Sequence, residues 1–147
     1  MNDSIITDFL TAMRNITKLQ NRQYKMIGSG YGLTAIDVSI LFFLNNNPTK
    51  DSASDIVELR KISKGNVSMS IDALIKNGFL EALPDVADKR RKHLKLLDKS
   101  YPVIEETFQM YKSFSDIFQF DDETFREIAN KIITAGEKAG KILGEIQ

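Results

Sequence analysis

Ser63-Lys64-Gly65-Asn66-Val67-Ser68-Met69-Ser70-Ile71-Asp72-Ala73-Leu74-Ile75-Lys76-Asn77-Gly78-Phe79-Leu80 is the stretch that decides the fold. Ser63 is a helix-capping residue type. With Val67 at zero degrees, Ile71, Leu74, Ile75 and Gly78 fall within about a quarter turn of it at ~100° per residue, which predicts one buried face. Gly65, Asn66, Met69 and Lys76 point the other way, with Ser68 and Ser70 on the shoulders. Just upstream, Ser52 followed by Asp55 signals the start of a shorter helix with Ala53, Ile56, Val57 and Leu59 inward, ending near Lys61. Two short helices a few residues apart, the second with a small, polar outer face at its start, make a helix-turn-helix. Beyond Gly78, residues 79–83 read as a strand, 84–92 as a turn-rich loop and 93–97 as a returning strand with Leu94 and Leu96 inward. The loop is basic, so the hairpin is a wing with a positive tip.

The flanks are helical. Ile5, Ile6, Phe9, Met13, Ile16 and Leu19 keep helical spacing toward Met26, until Gly28, Ser29, Gly30 and Gly32 break the pattern. Thr34 and Asp37 then signal a second helix with Leu33, Ile36, Ile40, Leu41 and Leu44 as its stripe. After the wing, Ser100 and Pro102 open a fifth helix with Val103, Ile104, Phe108, Tyr111, Phe114 and Phe118 along one side. Asp121 or Asp122 caps a sixth, striped by Phe125, Ile128, Ile132, Ile133, Ile142 and Ile146. Gly136, Gly140 and Gly144 recur on one side of that last helix; each costs ~1 kcal/mol relative to alanine, which implies close approach of another helix. The expected fold is therefore mainly α: a winged helix-turn-helix of three helices plus a β-hairpin, flanked by N- and C-terminal dimerisation helices. Residues 1–147 are read as one domain, with 1–32 and 100–147 for dimerisation and 33–99 for the winged region.

Composition narrows the function. A chain of 147 residues, 42% hydrophobic, suffices for one well-buried core. It has no cysteine and a single histidine, His93, which removes thiolate chemistry and makes a metal centre or a Ser/His/Asp set implausible. No Gly-rich phosphate loop appears. An enzyme, a cofactor and a metal are thus not expected. Met1-Asn2-Asp3 lacks a basic signal-peptide start and no long apolar run follows, so the expected compartment is the cytoplasm. Net charge is zero, yet residues 60–99 carry ten basic and five acidic residues. A basic middle between acidic ends suits a face that meets phosphates.

Taken in order, Leu33-Thr34, Ile62-Ser63-Lys64-Gly65-Asn66-Val67-Ser68, Leu74-Ile75-Lys76-Asn77-Gly78-Phe79-Leu80 and Asp88-Lys89-Arg90-Arg91 make the sequence resemble the MarR family of bacterial and archaeal regulators. The resemblance covers nearly the whole chain. It implies a DNA-binding transcription regulator, a homodimeric repressor on a pseudo-palindromic operator, released by a small aromatic ligand. Arg90 matches the family's wing arginine. Met69 stands where many members carry arginine, which exchanges guanine reading for contact with a thymine methyl and points to an A·T-rich operator. Ala82 replaces a frequent arginine, and Leu97-Asp98-Lys99-Ser100 replaces the usual L-T-x-x-G junction.

The candidate reading residues on the recognition helix are Ser63, Lys64, Asn66, Ser68, Met69 and Ser70. Ser63, Lys64 and the helix start suit a phosphate, and Asn66, Ser68 and Ser70 suit base edges. Lys89, Arg90, Arg91 and Lys92 on the wing suit a narrow minor groove, with Asp88 orienting an arginine rather than meeting DNA. Phe9, Met13, Phe43, Phe108 and Tyr111 are the candidate ligand pocket. The partners expected are double-stranded DNA and a second copy of the chain, with no membrane. An adaptor presenting the same basic surface to an acidic protein remains open at this point.

Overall fold

A computed structural model describes residues 3–144, the side chains of 3 and 115–117 excepted. Helices α1 (Asp3–Ser29), α2 (Ala35–Asn46), α3 (Ala53–Arg60) and α4 (Lys64–Lys76) precede strands β1 (Leu80–Pro84) and β2 (Lys92–Leu96). A short 3-10 turn, Asp98–Ser100, leads into α5 (Tyr101–Phe118) and α6 (Asp122–Ile142). This is the expected mainly helical winged architecture. The described residues up to 110 and those from 111 onward form two compact units. Ile146, counted above in the last helical stripe, lies outside the described residues.

In the first unit α2 is the central element. Val38, Ile40, Leu41, Phe43 and Leu44 are all buried, so its apolar surface runs around the helix rather than along one stripe. Its start is fixed by a reciprocal cap. Thr34 Oγ1 accepts from the Asp37 amide at 3.2 Å, and the Asp37 carboxylate accepts from the Thr34 amide at 2.7 Å. The same device opens α3, where Ser52 and Asp55 exchange bonds of 3.2 and 3.1 Å. Only Ile56 of α3 is fully enclosed; Ala53 and Leu59, expected inward, are exposed. A helix of eight residues can turn little more than one position per turn toward a single neighbour.

Helix α1 continues through Gly28 and Ser29, which were expected to break it. A side chain at Gly28 would bring Cβ within 2.5 Å of the Leu33 carbonyl oxygen. The bare Cα lets the loop fold back so that the Leu33 amide donates to the Gly28 carbonyl at 2.8 Å. Tyr24 is buried one turn earlier, while Ile5, Ile6, Phe9, Leu10, Met13, Ile16 and Leu19 leave an exposed apolar face.

The exit from α4 explains the Leu74…Gly78-Phe79 pattern. Gly78 has φ 76°, its amide donates to Ile75 O at 3.1 Å, and the Phe79 amide donates to Leu74 O at 2.9 Å. This pair of bonds closes the helix and needs a left-handed residue at Gly78, with buried Leu74 and Phe79 in apolar support. The Phe79 carbonyl then accepts from the Leu97 amide at 3.0 Å and the Ser100 hydroxyl at 2.5 Å. The hairpin is antiparallel, in register from Leu80 opposite Leu96 to Pro84 opposite Lys92. Leu94 is buried and its amide donates to the Asp51 carbonyl at 2.7 Å, docking the wing on the turn before α3.

Along the first half of α5 the buried residues are Val103, Ile104, Thr107 and Met110, not Phe108, which is exposed. Thr107 is accommodated because its hydroxyl donates to Val103 O at 2.8 Å. In the second unit the Tyr111 and Phe114 rings meet edge to face at 5.8 Å, and Phe118 stacks on Phe120. Asp121 caps α6 by accepting from the Thr124 amide at 2.7 Å. Phe125, Ile128, Ile132, Ile133 and Ile142 are exposed along α6. Gly144 lies beyond the helix end at φ 71°, so the expected three-glycine row contains two helical members, Gly136 and Gly140. A Cβ on Gly136 would meet nothing within 4 Å.

Candidate nucleic-acid interface

Helix α4 presents its first two turns outward. Ser63 caps it by accepting from the Asn66 amide at 3.3 Å, and Ser63, Lys64, Asn66, Ser68 and Met69 are all exposed. Met69, at 72%, is the most exposed apolar side chain of the helix. Ser70 does not belong with them. It is buried, and its hydroxyl donates to Asp37 on α2, so the expected base contact from Ser70 is withdrawn. At ~100° per residue Ser70 lies only 60° from Val67, close enough to the inward direction to be captured by a buried carboxylate. Ile75 errs the other way: it was expected inward and is partly exposed.

The wing tip is a set of turns built on two aspartates. Asp85 accepts from the amides of Ala87 and Asp88, both at 2.7 Å. Asp88 accepts from the Arg90 amide at 3.0 Å and from its Nε at 3.4 Å, while the Arg91 amide donates to Asp88 O at 2.9 Å. The Arg90 side chain nevertheless remains 94% exposed. Arg91 turns back to Asp55 at the start of α3, 3.5 Å away, and Lys89 and Lys92 are exposed. An open cleft of about 480 Å³ is lined by the start of α3, by Asp72 and Ile75 of α4, and by Arg90 and Lys92 of the wing. The exposed wing cations Arg90 and Lys92 thus border this cleft, while Lys64 and Ser68 at the α4 start lie on a neighbouring one.

Sequence reading missed His93. Its Nδ1 lies 2.9 Å from Asp51 and its Nε2 lies 2.7 Å from Asp85. The Asp85 contact, followed by the Asp51 contact, raises the imidazole above its ordinary value. Asp85 is held down at about 2, first by the Asp88 amide and then by His93 and the Ala87 amide. Asp51 stands 42 positions away in sequence, so no local pattern could have signalled this bridge.

The expected ligand-pocket residues are dispersed in character. Phe43 is buried in the core, whereas Phe9 and Met13 lie on the open face of α1. Phe108 packs edge-on against Phe42 at 5.0 Å, and Tyr111 belongs to the second unit. Among the described residues no group of three or more His, Asp or Glu is placed to hold a metal ion, and no helix is long and apolar enough to cross a membrane.

Residues 31–91 match the model of the MarR family. The winged segment is similar to the MarR family. No curated protein matches the sequence. Among solved structures, a MarR transcriptional regulator from Methanosarcina mazei is 21% identical, with a TM-score of 0.75 over 92% of this chain and 99% of its own. The S. aureus MepR–DNA complex aligns at 14% identity and TM-score 0.68, covering 88% of this chain and 96% of that one. S. aureus MarR in complex with salicylate and kanamycin aligns at 17% identity and TM-score 0.73, covering 95% of each. The MarR-family match ends inside the wing, at Arg91, and includes all of α4.

Proposed function

We propose that this protein is a sequence-specific double-stranded DNA-binding transcription regulator, a cytoplasmic homodimeric repressor that reads a pseudo-palindromic operator and is released by a small aromatic ligand. The carrying observation is the combination of an exposed polar α4 start with an exposed wing arginine, Arg90. A helix start of this size enters a major groove, and an arginine on a thin hairpin suits the adjacent minor groove. The matching family and the neighbour solved with DNA support the reading. The neighbour solved with salicylate supports the ligand. Exposed apolar faces on α1 and on α6 support a second chain as partner, since patches of this kind mark interaction surfaces.

Arg90→Ala tests the reading. Affinity for duplex DNA should fall by about 1 to 3 kcal/mol, most for duplexes with narrow-groove A·T tracts, with thermal melting unmoved because the side chain is exposed. Undiminished binding by this variant, measured by fluorescence anisotropy at moderate salt, would exclude the wing as a DNA reader and favour an acidic protein partner instead.

On α4 the two kinds of contact separate. Asn66→Ala should relax preference at one base per half-site at a cost of ~1 to 3 kcal/mol, and Lys64→Ala should weaken all sequences alike and flatten the salt dependence. Selection from a random duplex pool reads both. Identical base preferences for parent and Asn66→Ala would remove Asn66 from base reading.

A further inference from the structure

We propose that His93 is the positioning residue of the wing: as an imidazolium it clamps Asp85 of the wing loop to Asp51 of the turn before α3, fixing the Arg90 turn, so that loss of its proton weakens DNA binding. The proposal rests on the DNA-binding reading above.

The geometry leaves the ring little choice. A neutral imidazole carries one N–H and one lone pair, whereas both ring nitrogens here face carboxylates at hydrogen-bond distance. Deprotonation therefore replaces one of the two bonds by lone-pair repulsion. Asp85 is the vulnerable link. The carboxylate that meets Nε2 also accepts the Ala87 and Asp88 amides, and Asp88 in turn holds Arg90. The Leu94 amide bond to Asp51 O does not titrate, so the hairpin base stays docked while the tip loosens.

The other charges nearby are accounted for. On the hairpin Lys95 pairs with Glu81 at 3.8 Å, and Arg91 pairs with Asp55 of α3. The one charged residue of α2, Asp37, is bonded to Ser70. Lys50 and Lys92 flank Asp51 and His93 in sequence and are exposed, and α4 contributes Lys64, Asp72 and Lys76, all exposed. Among the described residues the charged groups bonded to the ring are thus the two carboxylates, and both favour the cation. The imidazole titrates higher in the folded protein than in the unfolded chain. Its contribution is full below the unfolded value of 6.5 and is lost as pH rises through the raised folded value.

His93 is the sole histidine in the sequence, so its ring proton is read without assignment. The full-length protein, His93→Gln and Asp51→Asn are titrated by NMR from about pH 5.5 to about 8.5. The same samples report exchange of the Ala87 and Asp88 amides and binding to a duplex of several turns carrying an A·T tract. The parent should titrate above 6.5, with amide protection and DNA affinity falling together, several-fold, through that midpoint. Asp51→Asn should lower both midpoints, and His93→Gln should bind weakly without that pH step. A midpoint at or below 6.5, or the same pH step in parent and His93→Gln, overturns the proposal. If no duplex binds at any pH, the DNA-binding reading fails along with the affinity half of this one, and the ring titration and amide exchange decide the clamp alone. Should His93→Gln not fold, the shift in Asp51→Asn decides in its place.

Discussion

Asp37→Ala is expected to remove about 2 to 4 kcal/mol of folding stability. Two losses combine. Half of the reciprocal cap on α2 goes, because the Thr34 amide no longer has its carboxylate partner at 2.7 Å, although Thr34 Oγ1 can still accept from the amide of residue 37; losses of this kind cost up to ~1 kcal/mol. The Ser70 hydroxyl, buried on α4 and donating to the same carboxylate, is left without that acceptor, at a cost of about 1 to 3 kcal/mol. Thr34→Ala removes only the hydroxyl half of the cap, leaves the Asp37 bonds in place and should cost about 1 kcal/mol. Urea denaturation of the three proteins measures the difference. Equal midpoints for Asp37→Ala and Thr34→Ala would mean that the bond between α2 and α4 contributes nothing. Because α4 carries the proposed DNA-reading residues, loosening its seat on α2 should also weaken the proposed binding.

Ile132→Asp is expected to convert the protein to monomers and to lower affinity for a two-site duplex by roughly a hundredfold or more, although α6 lies outside the winged segment. Ile132 is 43% exposed, so a carboxylate there has little to disturb within one chain. In the proposed dimer it would be buried against a second copy, where an unpaired charge is severely unfavourable. Sedimentation at micromolar concentration decides the matter. A parent that sediments as a monomer and binds DNA one chain per duplex contradicts the dimer. A variant that remains dimeric shows instead that this face of α6 is not the contact.

The parts of the fold that were legible in sequence are those fixed within a few residues. Thr34 with Asp37 and Ser52 with Asp55 signal caps three positions apart, and the structure forms both. Val67, Ile71 and Leu74 repeat at helical spacing and are buried as expected. Errors arose where a distant partner decides direction. Ser70 turns inward to a carboxylate 33 positions away, and Phe108 stays exposed while Thr107 takes the inner place by bonding its own helix. Leu59 is apolar and exposed for want of a neighbour on that side of a short helix. Helical period gives spacing reliably but leaves shoulder positions undetermined to within ~100°. His93 illustrates the same limit at the candidate site: one of its carboxylates is eight residues away and the other is 42.

The Phe79 carbonyl, which accepts from Leu97 and Ser100 at the root of the hairpin, makes the wing an interchangeable part. Changes of length among residues 77–80 or 97–100 would break the helix stop, the strand register and the entry to α5 together. Between Pro84 and Lys92 the backbone bonds are nearly all internal to the loop, so a tip of different length can be spliced in without re-registering the strands. An engineer testing the proposed minor-groove contact would therefore exchange residues 85–91 as a cassette and leave the hinge sequence untouched. The graft would need to supply its own acceptor for His93.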